Sequence, residues 1–231
     1  MDMSRPAASA HVPFKRVLYA TDFSRHSAAA LPYACAIARS ARENGVPGKT
    51  SGKKVLAVHV ISLVPMPPTH MWEAIVGQAI REAKDSFDQL EPQWKGVPHE
   101  TLVRRGDVWE ELSKIVHERG VDVIVLGTHG RSGVGKALMG SVAESVFRRA
   151  TCPVLTVGPN VSAEPDSVVD CHSILYPTDF SPESLGAAPC AIAFAREKHA
   201  RLYLFHVLPE DSDVDEGIRK DKASRHHSSR R

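Results

Sequence analysis

Short apolar runs alternate with longer helical patterns along the chain as far as residue 157. The runs have the length and β-branched content of strands and lie at residues 16–20, 54–61, 99–103, 121–126 and 152–157. The intervening helical patterns cover residues 28–41, 72–90, 108–120 and 141–149. The second and fourth runs are apolar at almost every position, which is typical of strands buried on both faces of a parallel sheet. The alternation therefore predicts a doubly wound α/β fold.

Local signals refine two of the predicted helices. Asp107 precedes the third helix with Glu110 three residues later, which predicts a capping box with Asp in place of Ser or Thr. Pro32 lies inside the first helical pattern, so this helix either begins just before Pro32 or kinks there.

The start of the chain recurs at an offset of 157 residues. Residues 174–181 repeat residues 17–24, including the Thr-Asp-Phe-Ser sequence, and Phe205-His206-Val207 resembles Val58-His59-Val60. We interpret this as an internal duplication whose second copy, residues 172–209, contains only strand, helix and strand. We expect a flexible segment at 1–13, a domain at 14–157, a linker at 158–171 and a disordered charged tail at 210–231.

Composition excludes several classes of protein. Lys and Arg outnumber Asp and Glu by 29 to 27, so no strong field favours nucleic acid or a membrane surface. No apolar run approaches the roughly 18 residues that span a bilayer. Four scattered cysteines without a C-x-x-C pair argue against a disulfide scaffold or a zinc ribbon and favour a reducing cytoplasm. We predict neither a metal site nor catalytic residues.

A glycine-rich loop, residues 127–140, leaves the fourth predicted strand and enters the fourth predicted helix. Glycines let main-chain N–H groups approach an anion, and the N-terminus of the following helix adds further donors and a positive dipole end. The loop begins like a P-loop at Gly130 to Lys136, but the next residue is Ala137 and the hydroxyl that would hold Mg²⁺ is missing. The loop therefore predicts a phosphate site of another kind.

The glycine spacing is Gly127-x2-Gly130-x9-Gly140-Ser141. Together with Thr21-Asp22 at the end of the first strand, it makes residues 14–157 resemble the ATP-binding branch of the universal stress protein family. The resemblance implies the adenine nucleotide alpha hydrolase-like fold, with a five-stranded parallel sheet of order 3-2-1-4-5. It also implies a site for ATP, with or without Mg²⁺, and a homodimer formed through the strand at residues 152–157.

The same resemblance implies roles for individual residues. Thr21 and Asp22 would lie near the ribose and the base, and Val60 against the adenine. The loop glycines would surround the ribose and phosphates, and Ser141 with the amides of the next two residues would hold the phosphates. Ala20 replaces a proline that the family often has. The complete predicted site is Ala20, Thr21, Asp22, Val60, Leu126, Gly127, Thr128, Gly130, Arg131, Gly140, Ser141, Val142 and Ala143.

Simpler interpretations and other functions stay open. Asp22 could only cap the first helix, the glycines could form an ordinary tight loop, and His59 and His206 are more typical of core histidines on apolar strands than of ligands. The leading hypothesis is a nucleotide-dependent stress-response module. One alternative is a slow ATPase or phosphotransferase that uses Asp22 and His129, and the other is a dimeric scaffold that binds no nucleotide.

Overall fold

The computed structural model describes residues 14–40, 54–62, 70–128, 139–159, 161 and 171–208. These residues fall into two compact units, divided between Asp170 and Cys171. The predicted flexible segment, the charged tail and most of the linker lie outside the described residues, so their boundaries stay predictions.

The first unit contains a five-stranded sheet of order β3-β2-β1-β4-β5. All four pairs of neighbouring strands are parallel, as predicted. The strands are β1 (Arg16–Ala20), β2 (Lys54–Ile61), β3 (His99–Arg105), β4 (Val123–Gly127) and β5 (Val154–Val157). Chain order reverses between β1 and β4, and such a switch point opens a crevice at the carboxyl ends of the strands.

Helices cover both faces of this sheet. They are α1 (Arg25–Ala28), α2 (Leu31–Ser40), α3 (His70–Leu90), α4 (Val108–Arg119) and α5 (Ser141–Arg149), with a 3₁₀ turn at Glu91–Trp94. One core contains alternate residues of β1, β2 and β4 together with α2 and α3, and centres on Tyr19 and Trp94. The other core packs the opposite sheet face, including Leu18 and Ile124, against α4 and α5. The crevice between β1 and β4 opens on the α4–α5 side.

Predicted boundaries mostly agree with the structure, and the differences have local causes. The fourth strand begins at Val123 because the Asp122 carboxylate accepts from the main-chain N–H groups of Lys15 and Arg16, at 2.8 Å each. The α2 helix begins at Leu31, so Pro32 occupies its first turn and the helix does not kink there. Asp107 caps α4 by accepting from Glu110 N at 3.0 Å, which is the first of the two hydrogen bonds of the predicted capping box.

The second unit contains β6 (Ser173–Pro177), α6 (Pro182–Lys198) and β7 (Arg201–Phe205). The two strands are parallel and pair in the register of β1 and β2. The expected strand, helix and strand are present, but His206 follows β7 instead of lying within it. Leu175, at the position of Leu18 in the first copy, is 62% exposed whereas Leu18 is fully buried. Among the described residues of this unit, nothing takes the place of α4 and α5.

No helix among the described residues is long and apolar enough to cross a membrane.

Candidate functional site

The turn after β1 is held by side chains of its own residues. Thr21, which is buried, pairs its hydroxyl with that of Ser27 at 3.0 Å and accepts from Phe23 N at 3.0 Å. Phe23 has a φ of 61°, which lets the chain reverse direction there. The carboxylate of Asp22 accepts from Ser24 N at 3.0 Å, and Ser24 caps α1 by accepting from Ser27 N. The interpretation that Asp22 caps the first helix is therefore wrong, because Ser24 is the cap of α1.

Two further hydrogen bonds behind this turn anchor it to the sheet. His59 Nδ1 donates to the Thr21 carbonyl at 2.8 Å, which requires the tautomer protonated at Nδ1. The Tyr19 hydroxyl donates to the Ser27 carbonyl at 2.9 Å, and burial raises the pKa of Tyr19 to about 12, so this phenol stays a donor at neutral pH. His59 thus has the structural role that its apolar strand predicts.

The second copy reproduces this turn bond by bond. Thr178 pairs with the Ser184 hydroxyl at 2.9 Å, Asp179 accepts from Ser181 N at 2.9 Å, and Phe180 has a φ of 62°. His206 Nδ1 donates to the Thr178 carbonyl at 2.7 Å. The duplication seen in the sequence therefore extends to the side-chain hydrogen bonds. Since these bonds form in a unit with no described glycine-rich loop, they stabilise the turn whether or not a ligand is present.

Gly127, at the end of β4, lies very close to α1. A Cβ added there would be 2.5 Å from the main-chain oxygen of His26 and 3.1 Å from Cα of Ser27. Real Cβ atoms essentially never approach backbone atoms so closely, so only glycine fits without a shift of the helix. This close approach brings the carboxyl end of β4 next to the turn after β1.

The N-terminus of α5 faces the same crevice. Gly140 precedes α5 with φ −63° and ψ 148°, and no side chain caps the helix. Its N–H donates to the Thr128 carbonyl at 2.7 Å, and Glu144 donates the first helical bond, to the Gly140 carbonyl. The N–H groups of Ser141, Val142 and Ala143 therefore have no acceptor within the helix. Such a helix start favours anions through these donors and the helix dipole.

A cavity of about 290 Å³ lies between these elements. Most of the predicted site lines it: Ala20, Thr21, Asp22, Val60, Leu126, Gly127, Thr128, Gly140, Ser141, Val142 and Ala143. The other two predicted residues, Gly130 and Arg131, lie outside the described residues, as does His129. The structure thus brings eleven residues from four separate sequence segments to one cavity.

Sequence reasoning missed four lining residues, which are Ser27, Val58, Val108 and Leu112. Val58 precedes Val60 by two positions, so the alternation of side chains along a strand could have identified it. Val108 and Leu112 are four residues apart on one face of α4, but only the packing of that helix over β2 shows that this face meets the cavity. Ser27 gives no sequence signal, because its position depends on the turn after β1.

The cavity has one apolar and one polar part. The apolar part is formed by side chains of β2, β4 and α4, namely Val58, Val60, Leu126, Val108 and Leu112. The polar part consists of Asp22, Thr21 and Thr128 together with the start of α5. An apolar wall suits a flat ring, a carboxylate and hydroxyls suit a sugar, and the helix start suits a phosphate. Within the described residues, no group of three acidic, His or Cys side chains is placed to hold a metal ion.

The fold and this cavity define a doubly wound α/β protein with a ligand-binding cleft at the switch point of its sheet. The model of the universal stress protein family matches residues 13–158 and again residues 171–229. The chain therefore belongs to the universal stress protein family, and the second match suggests a tandem copy, in agreement with the repeat.

Individual relatives agree with this assignment. Universal stress protein MJ0577 of Methanocaldococcus jannaschii is 27% identical over 166 residues, which cover 63% of this chain and 96% of that protein. Universal stress protein MJ0531 of the same organism is 31% identical over 150 residues, covering 62% of this chain and 82% of the relative. Both alignments account for little more than the length of the first unit.

Solved structures show the same fold. The structure of MJ0577 is similar with a TM-score of 0.54 at 27% identity, over 65% of this chain and 99% of that one. A universal stress protein of Archaeoglobus fulgidus has a TM-score of 0.63 at 20% identity, over 94% of this chain and 75% of that one. The first supports the family and the second supports the fold.

Proposed function

We propose that this protein is a nucleotide-dependent stress-response module that binds ATP, with or without Mg²⁺, in the cleft between β1 and β4. The observation that carries the proposal is the lining of the cavity, in which apolar side chains of β2, β4 and α4 face the same space as the main-chain donors at the start of α5. A ligand that contacts both needs a flat apolar ring and an anionic group. An adenine nucleotide has both.

The proposed orientation follows from the lining residues. The adenine packs against Val60 and its neighbours on β2 and α4, where about 25 cal/mol is gained for each Å² of apolar surface removed from water. The Asp22 carboxylate, held by Ser24 N, accepts from the ribose hydroxyls or the base. The phosphates accept from Ser141 and from the main-chain N–H groups at the start of α5, which have no acceptor within the helix.

Identification of the bound molecule tests this proposal. The full chain is purified without added nucleotide, denatured, and the released small molecules are identified by mass spectrometry. We expect ATP or ADP at near one equivalent, with little nucleotide released from the Gly140→Asp variant. An empty protein that also gives no heat on titration with ATP would overturn the proposal and leave the scaffold hypothesis.

Hydrolysis separates a binding module from a slow ATPase or phosphotransferase. General-base catalysis needs a side chain placed to accept a proton from water or from an acceptor hydroxyl. In the described part of the cavity, Asp22 is the only carboxylate, and its oxygen already accepts from Ser24 N. We therefore expect no turnover above the background rate, measured as phosphate released from ATP at saturating concentration.

We further propose that the protein dimerises through the strand at residues 152–157. Within this segment, β5 lies at the edge of the sheet. The carbonyls of Pro153 and Val157 accept from β4, so by the alternation of a parallel ladder the N–H groups of Val154 and Thr156 point outward. Such an open edge can pair with a second copy.

A proline at each of two adjacent positions tests this interface. Thr156→Pro removes an outward N–H and is expected to yield monomers in light scattering, with the fold retained. Leu155→Pro is the matched control, since it removes an N–H that pairs with β4 and is expected to destabilise the unit itself. A Thr156→Pro variant that is folded and still dimeric would exclude pairing through this edge.

A further inference from the structure

A second cavity in the first unit lies on the other face of the sheet from the nucleotide cleft. It has a volume of about 390 Å³ and is lined by residues of α1, α2 and the 3₁₀ turn that follows α3. It shares no lining residue with the cleft between β1 and β4. A ligand in this second cavity would therefore contact other residues than a nucleotide bound in the cleft.

The charge of this cavity is entirely positive. Arg25, Arg39 and Lys95 line it, and no acidic residue is among its described lining. None of the three forms an ion pair with a described residue, whereas Lys54 and Arg119 on the same unit both pair with Glu100. The three side chains are exposed, their like charges face one cavity, and an anion between them would reduce their mutual repulsion.

The other polar groups of the cavity do not neutralise these charges. Cys35 is buried, and burial raises the pKa of its thiol to about 11, so it carries no negative charge at neutral pH. Gln93 contributes an amide that can donate to an oxyanion. Hydrophobic lining by Ala28, Ala29 and Pro32 keeps one side of the cavity free of competing donors and acceptors.

The three cations come from three elements, with Arg25 at the start of α1. Arg39 lies in the last turn of α2, and its guanidinium donates to the Trp94 carbonyl at 3.4 Å, which directs it toward the 3₁₀ turn. Lys95 ends that turn in the left-handed conformation, with φ 48°. Trp94 itself is buried between them in the core. The cations therefore face the cavity from two helices and a turn, and α2 and the turn pack against each other.

We propose that this cavity is a second anion site, which binds a compact phosphate-bearing molecule with two or more negative charges. Guanidinium groups match phosphate oxygens in pairs, and a lysine adds a mobile point charge. Three cations around about 390 Å³ suit a chain of two or three phosphate groups better than a single carboxylate. Inorganic tripolyphosphate is the probe for this chemistry.

Calorimetric titration of the full-length protein with tripolyphosphate tests the proposal. The Gly140→Asp substitution is present throughout, since it is expected to weaken phosphate binding at the start of α5 by about a hundredfold or more. We expect tripolyphosphate to bind at one remaining site, with an affinity that falls as salt is added. Complete loss of tripolyphosphate binding in Gly140→Asp would overturn the proposal, because the probe would then bind only in the nucleotide cleft.

Substitutions in the cavity locate the remaining site. Arg39→Gln and Lys95→Gln are each expected to lower the affinity for tripolyphosphate by about tenfold, the effect of losing one charge-assisted hydrogen bond at an exposed position. Arg149→Gln, which removes an exposed charge outside this cavity, is expected to change affinity less than about twofold. Equal effects of all three substitutions would show non-specific attraction to a basic protein and would refute the site. Urea unfolding of each variant verifies that the fold is retained.

Discussion

Substitution of Gly140 by Asp should separate the stability of this protein from its affinity for nucleotide. Gly140 has ordinary dihedral angles for a residue before a helix, with φ −63° and ψ 148°, so the backbone accepts a side chain. Aspartate is among the preferred residues at this position, because its carboxylate accepts from the N–H groups of Val142 or Ala143. Those same donors are the ones proposed to hold the phosphates.

The two effects have opposite signs. Relative to glycine, an aspartate cap adds a few tenths of a kcal/mol, and the loss of chain entropy in the unfolded state adds about 0.4–1 kcal/mol. The free energy of unfolding should therefore rise by about 0.5–1 kcal/mol. Binding of ATP loses about 1.5–3 kcal/mol for one charge-assisted hydrogen bond, and repulsion between the carboxylate and a phosphate adds about 1 kcal/mol. Together these losses of about 2.5–4 kcal/mol should lower the affinity by about a hundredfold to a thousandfold.

Two measurements on the same samples test this reasoning. Urea unfolding without nucleotide gives the stability, and calorimetric titration gives the affinity for ATP. Gly140→Asn is the matched control, since its side chain has the same shape and caps the helix without a charge. It should give a similar gain in stability with a loss of only about tenfold in affinity, because one donor is lost without repulsion.

Either result could refute a part of this argument. ATP binding that is unchanged in a Gly140→Asp variant of raised stability would show that the phosphates do not bind at the start of α5. A fall in stability without nucleotide would show that Asp cannot form the helix cap.

Two further substitutions test the packing of the first unit. Gly127→Ala should lower the free energy of unfolding by about 1–3 kcal/mol in urea, because the new Cβ would meet His26 main-chain oxygen at 2.5 Å. Gly158→Ala, where no atom lies within 4 Å of the new Cβ, should change it by less than about 0.5 kcal/mol, and equal effects at both positions would contradict the reasoning. Glu100→Gln tests an ion pair: a hydrogen bond from Lys54 holds the pKa of Glu100 below its ordinary value near 4.5. The ionised carboxylate therefore stabilises the fold above that value, and this contribution is lost as the pH falls through the lowered pKa. Glu100→Gln should be less stable than the natural chain at pH 7 by about 0.5 kcal/mol and equally stable at pH 2, whereas a difference that persists at pH 2 would exclude this origin.

The sequence was sufficient for the architecture because the relevant signals are local. Apolar residues at β2 and β4 identify buried parallel strands, and Asp107 identifies the start of α4 from a pattern of four residues. The repeat at an offset of 157 predicted the second turn, and the structure reproduces its hydrogen bonds at Thr178 and Asp179. Strand order, in contrast, came from the resemblance to a family, since apolar patterns do not indicate which strands are neighbours.

Some expectations failed where a neighbouring element decides the outcome. The sequence pattern placed Asp122 inside the fourth strand. In the structure its carboxylate accepts from the main-chain N–H groups of Lys15 and Arg16, which are more than 100 residues earlier, and the strand begins after it. The pattern also did not show that Ser24, instead of Asp22, caps the first helix, because both residue types are suited to either position. In both cases a short polar side chain had several possible partners, and the fold selected one.

The sequence by itself determined the parallel α/β class and the repeated turn, because both depend on the spacing of residues along one segment of chain. Most residues that line the cleft were predicted through the resemblance to a family, since they come from separate segments. Only the tertiary structure decided that Val108 and Leu112 join the cleft, that Gly127 must lack a side chain beside α1, and that Arg39 and Lys95 face one cavity. These relations join residues distant in sequence, and they depend on how helices pack on a twisted sheet, which no local pattern of residues specifies.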